Sequence, residues 1–255
     1  MLSETKFAVN VAEKAGKILM AGFGNIKTIK EKSPKNFVTD IDIASEKIIL
    51  GAIKKHFPKH IILSEEEGII GKNSDYIWHV DPLDGTHNFI HRFPFFGVSI
   101  GLEYKKEVIM GVIYIPTLRQ IFTAEKGKGA YLNKKKVHVS KDKKLHESMV
   151  SMDVVLHYNK KKALKALNRL SNDIFIVRSP GAAVFELSCV AQGITAAHIS
   201  FSTHSWDVAA GFLLIREAGG KITDLKGNEA DHYCSEFVAS NGMVHNQILK
   251  CLNRK

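Results

Sequence analysis

The sequence predicts a mixed α/β fold in which helices are layered between sheets and the halves pack as one unit. Three observations point there. Apolar residues recur at helical spacing near the N-terminus, β-like runs fill the middle of the first half, and strands alternate with helices after about Met149. No internal repeat, low-complexity segment or Pro-rich linker separates the parts. We therefore read residues 1–148 as an α+β half and 149–255 as an α/β half, closed tightly against each other.

Taken in order, Phe7, Val11, Ala15, Ile18 and Leu19 mark a first helix that Gly22 and Gly24 end. The stretch "KEKSPKNFVTDID" is polar and reads as irregular, closing in a turn that caps a second helix. That helix runs from Ile43 to Phe57, turns Ile48, Ile49, Ala52 and Ile53 inward, and stops at Pro58. "HIIL" is a short buried strand, followed by the loop "SEEEGIIGKNSD". The runs "IWHV", "FFGVSIGLE", "VIMGVIYI" and "RQIFTAEKG" predict an antiparallel or mixed sheet. Beyond them, "MVSMDVV" precedes a helix at 160–171, "IFIVR" one at 181–193, and "ITAAHIS" one starting near His204. "KITDL", "FVAS" and a last helix complete the chain.

With 45% hydrophobic and 24% charged residues, 255 positions suffice for a core that needs no staples. The formal charge of +10 fits a lysine-decorated surface, a polyanionic partner or an anionic substrate. The lysine clusters at 134–136, 141–144 and 159–165 lack interleaved aromatics apart from Tyr158, which disfavours nucleic acid as the main partner. Cys189, Cys234 and Cys251 are widely spaced with no CxxC pair, which suits a reducing compartment. No segment reads as a signal peptide or membrane span, so the expected location is cytoplasmic.

The chemistry concentrates in "DPLDGTHNF", Asp81 to Phe89. Pro82 disfavours a helical Asp81, so the strand is expected to end there with its carboxylate outward. Gly85 permits a turn, and a helix starting at Gly85-Thr86-His87 would offer unpaired N–H groups to a phosphate. Two acids beside such an anion make sense if divalent cations bridge them to it; a solvated Asx turn explains the local pattern equally well. Further acids stand at other element ends: Glu65, Glu66 and Glu67 after "HIIL", and Asp207 at the head of the apolar helix Val208–Leu214. Three such groups together suggest an oxygen-rich site for a hard cation such as Mg²⁺.

"DPLDGTHNF", the earlier "EE" and the later "WDVAAG" together resemble the inositol monophosphatase family of Mg²⁺-dependent, lithium-sensitive phosphatases. The likeness extends to "NFVTDID", "HRFPFFGVSIG", "KGKGAYLN" and "REAGGKITDLKG", nearly end to end. It implies a layered αβαβα sandwich of the inositol monophosphatase and fructose-1,6-bisphosphatase type, a small phosphorylated substrate and a homodimer. By the same resemblance, Glu65, Asp81 and the carbonyl of Leu83 would bind one Mg²⁺ that activates water. Asp81, Asp84 and Asp207 would hold a second that stabilises the leaving alkoxide, and a third, weaker ion would share Glu65. Thr86 and Asp42 would orient or deprotonate the water with Glu66 in support, and the N–H groups of Gly85 and Thr86 would hold phosphate. Counting from Pro58 gives Glu65 the ligand role; a one-residue slip would give it to Glu66.

On the substrate side the resemblance assigns Gly181 and Ala183 to the loop flanking the ring. Inositol-specific members carry an acid seven positions before the "WD" aspartate; here Ser200 stands there, with Thr203 and His204 as further polar contacts. A serine bonds a hydroxyl without the reach of a glutamate. His204 would favour a second phosphate, as in fructose 1,6-bisphosphate, and relatives act on NADP, nucleotide bisphosphates or histidinol phosphate. Two other readings compete. His79, His87 and His91 would suit a zinc or manganese hydrolase, although "HNFIH" lacks the glutamate of an HExxH helix. A basic RNA-associated protein would need no such carboxylates.

Overall fold

The computed structural model describes residues 1–254, the side chains of 156–158 aside; the lone aromatic Tyr158 of the third lysine cluster thus lies outside the described side chains. The first half builds helix α1 (Ser3–Gly22), strands β1 (Ile29–Ser33) and β2 (Asn36–Thr39), then helix α2 (Asp40–His56). Strands β3 (Ile61–Ser64), β4 (Gly68–Ile70) and β5 (Tyr76–Asp84) follow, with helix α3 (Thr86–Ile90). Next come β6 (Gly97–Tyr104), β7 (Glu107–Ile115), β8 (Gln120–Glu125), β9 (Ala130–Leu132) and β10 (Lys135–Val137). The second half holds β11 (Met149–Met152), α4 (Leu156–Leu170), β12 (Ile176–Arg178), α5 (Ala183–Ala191) and β13 (Ala197–Ser200). It closes with α6 (Ser205–Glu217), β14 (Lys221–Asp224), β15 (Phe237–Ser240) and α7 (His245–Leu252).

Eight strands form one mixed sheet in the order β10-β9-β8-β7-β6-β5-β3-β4, with β3 and β5 parallel and the remaining pairs antiparallel. Five form the second sheet, β12-β11-β13-β15-β14. Helices α1 and α2 cover one face of the large sheet, burying Ala8, Ala15, Leu19, Ile49 and Ile53 against Trp78, Val80 and Leu102. The opposite face packs on α5 and α6, which also touch the small sheet. Beyond that sheet, α4 and α7 pack together over Val150, Ile199 and Val238. The layers run αβαβα, as expected.

Several local expectations need correction. The polar stretch after α1 is a hairpin, β1 against β2, whose first strand is exposed throughout and so shows no alternating burial. Within α2, Ile48 is 41% exposed, and the buried stripe is Ser45, Glu46, Ile49, Leu50 and Ile53. Thr39 caps α2 in a capping box with Asp42, which starts the helix three residues before Ile43. Residues 68–70 of the presumed loop pair with β3. Strand β5 does not end at Asp81. It runs through Pro82 to Asp84, with Asp81 opposite Ser99, Asp84 opposite Gly97 and a register shift between them. Pro82 sits in this bulge, where a missing N–H is tolerated.

The contact that sets α6 against the large sheet depends on small residues. Gly101 and Gly111 face each other across β6 and β7. A Cβ on Gly101 would meet Ala209 Cβ at 2.9 Å, and one on Gly111 would meet the Ala210 carbonyl oxygen at 2.8 Å. On its other side α6 presents Gly211, where a Cβ would lie 2.4 Å from Leu187 Cδ1 of α5. The helix thus lies closer to both neighbours than any larger residues permit. We expect Gly111→Val to lower stability by about 1–3 kcal/mol, the usual cost of overpacking, and to lift the head of α6. Urea denaturation checks the first effect; an unchanged midpoint would show that the helix has room to spare.

Candidate active site

The site begins with the turn after β3. Glu46 of α2, buried at 2%, accepts the N–H groups of Glu66 and Glu67 at 3.2 Å each and bonds the Ser64 hydroxyl. That buried carboxylate fixes the turn and leaves Glu65 and Glu66 facing outward from it. Both accept from Lys32 of the β1–β2 hairpin, with Nζ at 2.8 Å from Glu65 and 2.6 Å from Glu66. Burial would lower the Lys32 pKa, but the two glutamates outweigh it and raise it.

On β5, Asp81 is 1% exposed and its Oδ1 accepts the Leu83 N–H at 3.0 Å. Ser45 of α2 donates to the Pro82 carbonyl at 2.8 Å, pinning the bulge from behind. Asp84 reaches further out and accepts the Val184 N–H at 2.6 Å, so it also caps α5. Gly85 follows at φ 87°, where a Cβ would crowd the Phe95 carbonyl oxygen at 2.9 Å. Glycine is therefore required on both counts. Helix α3 is a single turn of five residues, so its unpaired N–H groups, not a long dipole, are what it offers an anion.

Thr86 Oγ1 stands 3.0 Å from Asp42 Oδ1 and 3.1 Å from the Leu83 carbonyl oxygen, two acceptors for one hydroxyl proton. Asp207, in the first turn of α6, accepts the His204 N–H at 2.7 Å. The ring of His204 is 66% exposed, stacks on Trp206 at 4.5 Å and has its pKa raised by Asp207.

These carboxylates act on one another. Burial, then Glu65, Asp84 and Asp207, push Asp81 well above the ordinary aspartate range. Burial and then Asp207 do the same to Asp84, although its edge reaches solvent. Glu65 is raised by burial with help from Asp207 and Asp42, against the pull of Lys32. Glu66 is pushed up to about 7, again mainly by burial. Four carboxylates, Glu65, Asp81, Asp84 and Asp207, thus converge from three elements, and Lys32 pairs with Glu65 alone among them. Such a cluster is costly unless cations neutralise it. An all-oxygen donor set suits a hard divalent ion such as Mg²⁺, so the residues present fit the cofactor that the resemblance implies.

Gly181, at φ 79°, sits in a loop that Asn88 of α3 holds by donating to the Pro180 carbonyl at 2.8 Å and the Phe95 carbonyl at 2.7 Å. Ala183 opens α5. Ser200 is fully buried and gives its hydroxyl to Asp153, at the end of β11. Behind that pair, Glu186 and His198 are buried, and both Glu186 oxygens and His198 Nε2 lack a hydrogen-bond partner. The sequence reading singles out none of Asp153, Glu186, Asn88, Glu46 and Lys32. A lone acid inside the apolar "AAVFELSCVA" and another in "MVSMDVV" were the available signals for two of them. The histidine set dissolves: His87 bonds the Lys35 carbonyl at 3.0 Å and stacks on His91, while His79 is buried elsewhere with Glu103, His232 and Ser205. A groove of about 790 Å³ between α1 and β8 contains none of the converging carboxylates.

Fold and site together define a phosphatase class: a layered αβαβα sandwich with acids gathered at strand and helix ends beside free backbone N–H groups. The model of the inositol monophosphatase family matches residues 2–255. The chain belongs to that family and is a phosphoric monoester hydrolase. It is 33% identical over 248 residues to the fructose-1,6-bisphosphatase/inositol-1-monophosphatase of Thermotoga maritima, covering 97% of this chain and 94% of that one. It is 36% identical to the Nus factor SuhB of Pseudomonas aeruginosa, covering 95% and 93%. The crystal structure of the extragenic suppressor protein suhB from Bartonella henselae superposes with a TM-score of 0.95 at 34% identity, over 99% of both chains. No helix among the described residues is long and apolar enough to cross a membrane.

The raised carboxylates set a pH dependence. An acid whose folded pKa exceeds its unfolded value stabilises the fold below the unfolded pKa and loses that contribution as pH rises through the folded one. For Glu66 the window runs from 4.5 to about 7. The melting midpoint of chelator-treated protein should fall as pH rises through that window, and added Mg²⁺ should flatten the curve. A midpoint that climbs over the same interval would mean that Lys32 alone satisfies the cluster.

Proposed function

We propose that the protein hydrolyses a small polyol monophosphate, such as myo-inositol monophosphate, with Mg²⁺ as its cofactor. The observation that carries this is the convergence of Glu65, Asp81, Asp84 and Asp207 beside the free N–H groups at Gly85 and Thr86. Glu65, Asp81 and the Leu83 carbonyl would hold one cation, and Asp81, Asp84 and Asp207 a second. When bound, Mg²⁺ neutralises phosphate charge, steadies the leaving alkoxide and lowers the pKa of water toward ~7.

The chain's own groups do the rest. The N–H groups of Gly85 and Thr86 bind phosphate oxygens and fix the ester's orientation. Asp42 orients the Thr86 hydroxyl through their 3.0 Å bond, and its pKa, raised by burial, suits it to take a proton relayed through Thr86. Glu66, at about 7, can exchange a proton near neutrality. Gly181 and Ala183 border the ring, in a loop steadied by Asn88. Asp153 supplies the carboxylate that position 200 lacks: it grips Ser200 from the end of a neighbouring strand and keeps 18% of its side chain exposed. That favours substrate hydroxyls as the recognised groups.

A sugar bisphosphate is the second reading, favoured by His204, a largely exposed imidazole at the rim that could donate to a second phosphate. We further take the protein to be a lithium-sensitive, cytoplasmic homodimer, in line with the resemblance, the three unpaired cysteines and the lack of a membrane-crossing helix among the described residues.

Phosphate release with Mg²⁺ from inositol monophosphate, fructose 1,6-bisphosphate, NADP and histidinol phosphate, with and without lithium, tests the reading. Asp81→Asn should lower turnover more than about 100-fold, beyond the cost of losing an outer-shell partner. It should also raise the melting midpoint of the metal-free protein by relieving repulsion. Near-normal turnover would sink the mechanism. Asp153→Asn should raise KM for inositol monophosphate about tenfold, the value of one good hydrogen bond to a charged group, with kcat little changed. An unaltered KM would remove Asp153 from the substrate.

A further inference from the structure

We propose that His79, Glu103 and His232 form a second metal site, for a cation of the zinc class, with Tyr233 as a fourth donor and a structural role distinct from the oxygen-rich centre. The geometry is compact. His79 Nε2 lies 3.1 Å from Glu103 Oε2, His232 Nε2 lies 2.7 Å from the same oxygen, and the Tyr233 hydroxyl lies 2.7 Å from it. Among the described residues, only one other trio of His, Asp or Glu ligand atoms is this close, and it contains one histidine rather than two. The trio is buried, each residue at 2% exposure or less.

Two imidazole nitrogens and a carboxylate suit Zn²⁺ or a neighbouring transition metal, not Mg²⁺, which prefers oxygen alone. In a tetrahedron with bonds of about 2.0–2.1 Å, neighbouring donors stand roughly 3.3 Å apart. The three separations from Glu103 Oε2 reach that by opening about 0.2–0.6 Å, and the two imidazole nitrogens lie within 4.8 Å of each other. An outer shell is already in place: His79 Nδ1 is 3.0 Å from Ser205 Oγ. With Nε2 on the metal, the His79 proton moves to Nδ1 and points at that hydroxyl, the second partner that metal-bound histidines usually have.

Charge argues the same way. No Lys or Arg side chain bonds Glu103 among the described residues; its partners are two imidazoles and a phenol. Burial would raise its pKa, but those three bonds hold it down at about 2, so the carboxylate stays ionised. Burial, and then the neighbouring His79, lower the pKa of His232 against the pull of Glu103 and Asp231. A carboxylate buried among two imidazoles and a phenol has no permanent cation beside it, and a metal ion in the place of the shared protons would supply one.

The position gives the site a task. His79 and Glu103 belong to the large sheet, and His232 and Tyr233 to the connection between β14 and β15. Ser205 begins α6, two residues before Asp207. A cation here would tie that connection to the sheet and steady the head of α6.

The test uses the full-length protein in excess Mg²⁺, so that the oxygen centre is filled, dialysed against Zn²⁺ or Co²⁺. We expect one equivalent of Zn²⁺ to be retained, a higher melting midpoint, and a Co²⁺ visible spectrum of a low-symmetry, nitrogen-ligated ion. His232→Ala and the isosteric Glu103→Gln should each weaken Zn²⁺ binding at least about 100-fold, whereas Asp81→Asn should leave it intact. The inference fails if the wild type retains no Zn²⁺, if both trio variants retain it unchanged, or if Asp81→Asn abolishes it. Circular dichroism checks each variant's fold, and the wild-type measurement decides even if a variant unfolds.

Discussion

The close approach of α6 to the large sheet is the constraint on which the other contacts of the centre depend. A helix and a sheet normally stand apart by the thickness of their side chains. Here Gly101 and Gly111 meet Ala209 and Ala210 with no room for another methyl group. Gly211 lets α5 close in from the other side. The string "DVAAG" is therefore an address as much as a composition: its small residues bring the head of α6, and Asp207 with it, down to Asp81 and Asp84 on β5. The same collapse lets Asp84 cap α5 through the Val184 N–H, so one carboxylate both positions a helix and faces the centre.

That packing gathers like charges that would separate if the chain were free to move. The fold holds them with satisfied backbone: Glu46 grips the turn behind Glu65, Ser45 grips the bulge behind Asp81, and Thr39 with Asp42 starts the helix that carries both Ser45 and Glu46. The centre is thus stiff where its ligands attach and unfavourable in the charge they carry. A site of this kind gives up stability in exchange for affinity toward what completes it.

How much was legible follows from what each signal depends on. The layered architecture can be read because the core helices and strands carry apolar periodicity, and the acids stand out because three groups of them fall at element ends, although each alone also suits a turn or a cap. The β1–β2 hairpin could not be read, since β1 buries none of its residues. Lys32, its contribution to the centre, is one lysine in a chain with +10 formal charge. Ile48 reads wrongly because the buried face of α2 continues from Ile49 to Leu50 rather than back to Ile48, and hydropathy does not say on which side of Ile49 the stripe lies. Asp153 and Glu186 reach Ser200 and His198 from other elements, a proximity created by tertiary folding alone.

The bulge between Asp81 and Asp84 gives that motif its arithmetic. On a regular strand, residues three apart point to opposite faces. Here three steps along β5 span two along β6, from Ser99 to Gly97. The extra residue restores parity and lets both carboxylates act on the same surroundings. The spacing of the two acids is therefore a counting rule. Side chains at the intervening positions can be exchanged on ordinary packing terms, but inserting or deleting a single residue there would turn one aspartate away from the other. Over evolutionary time such a segment should drift by substitution and hardly ever by length.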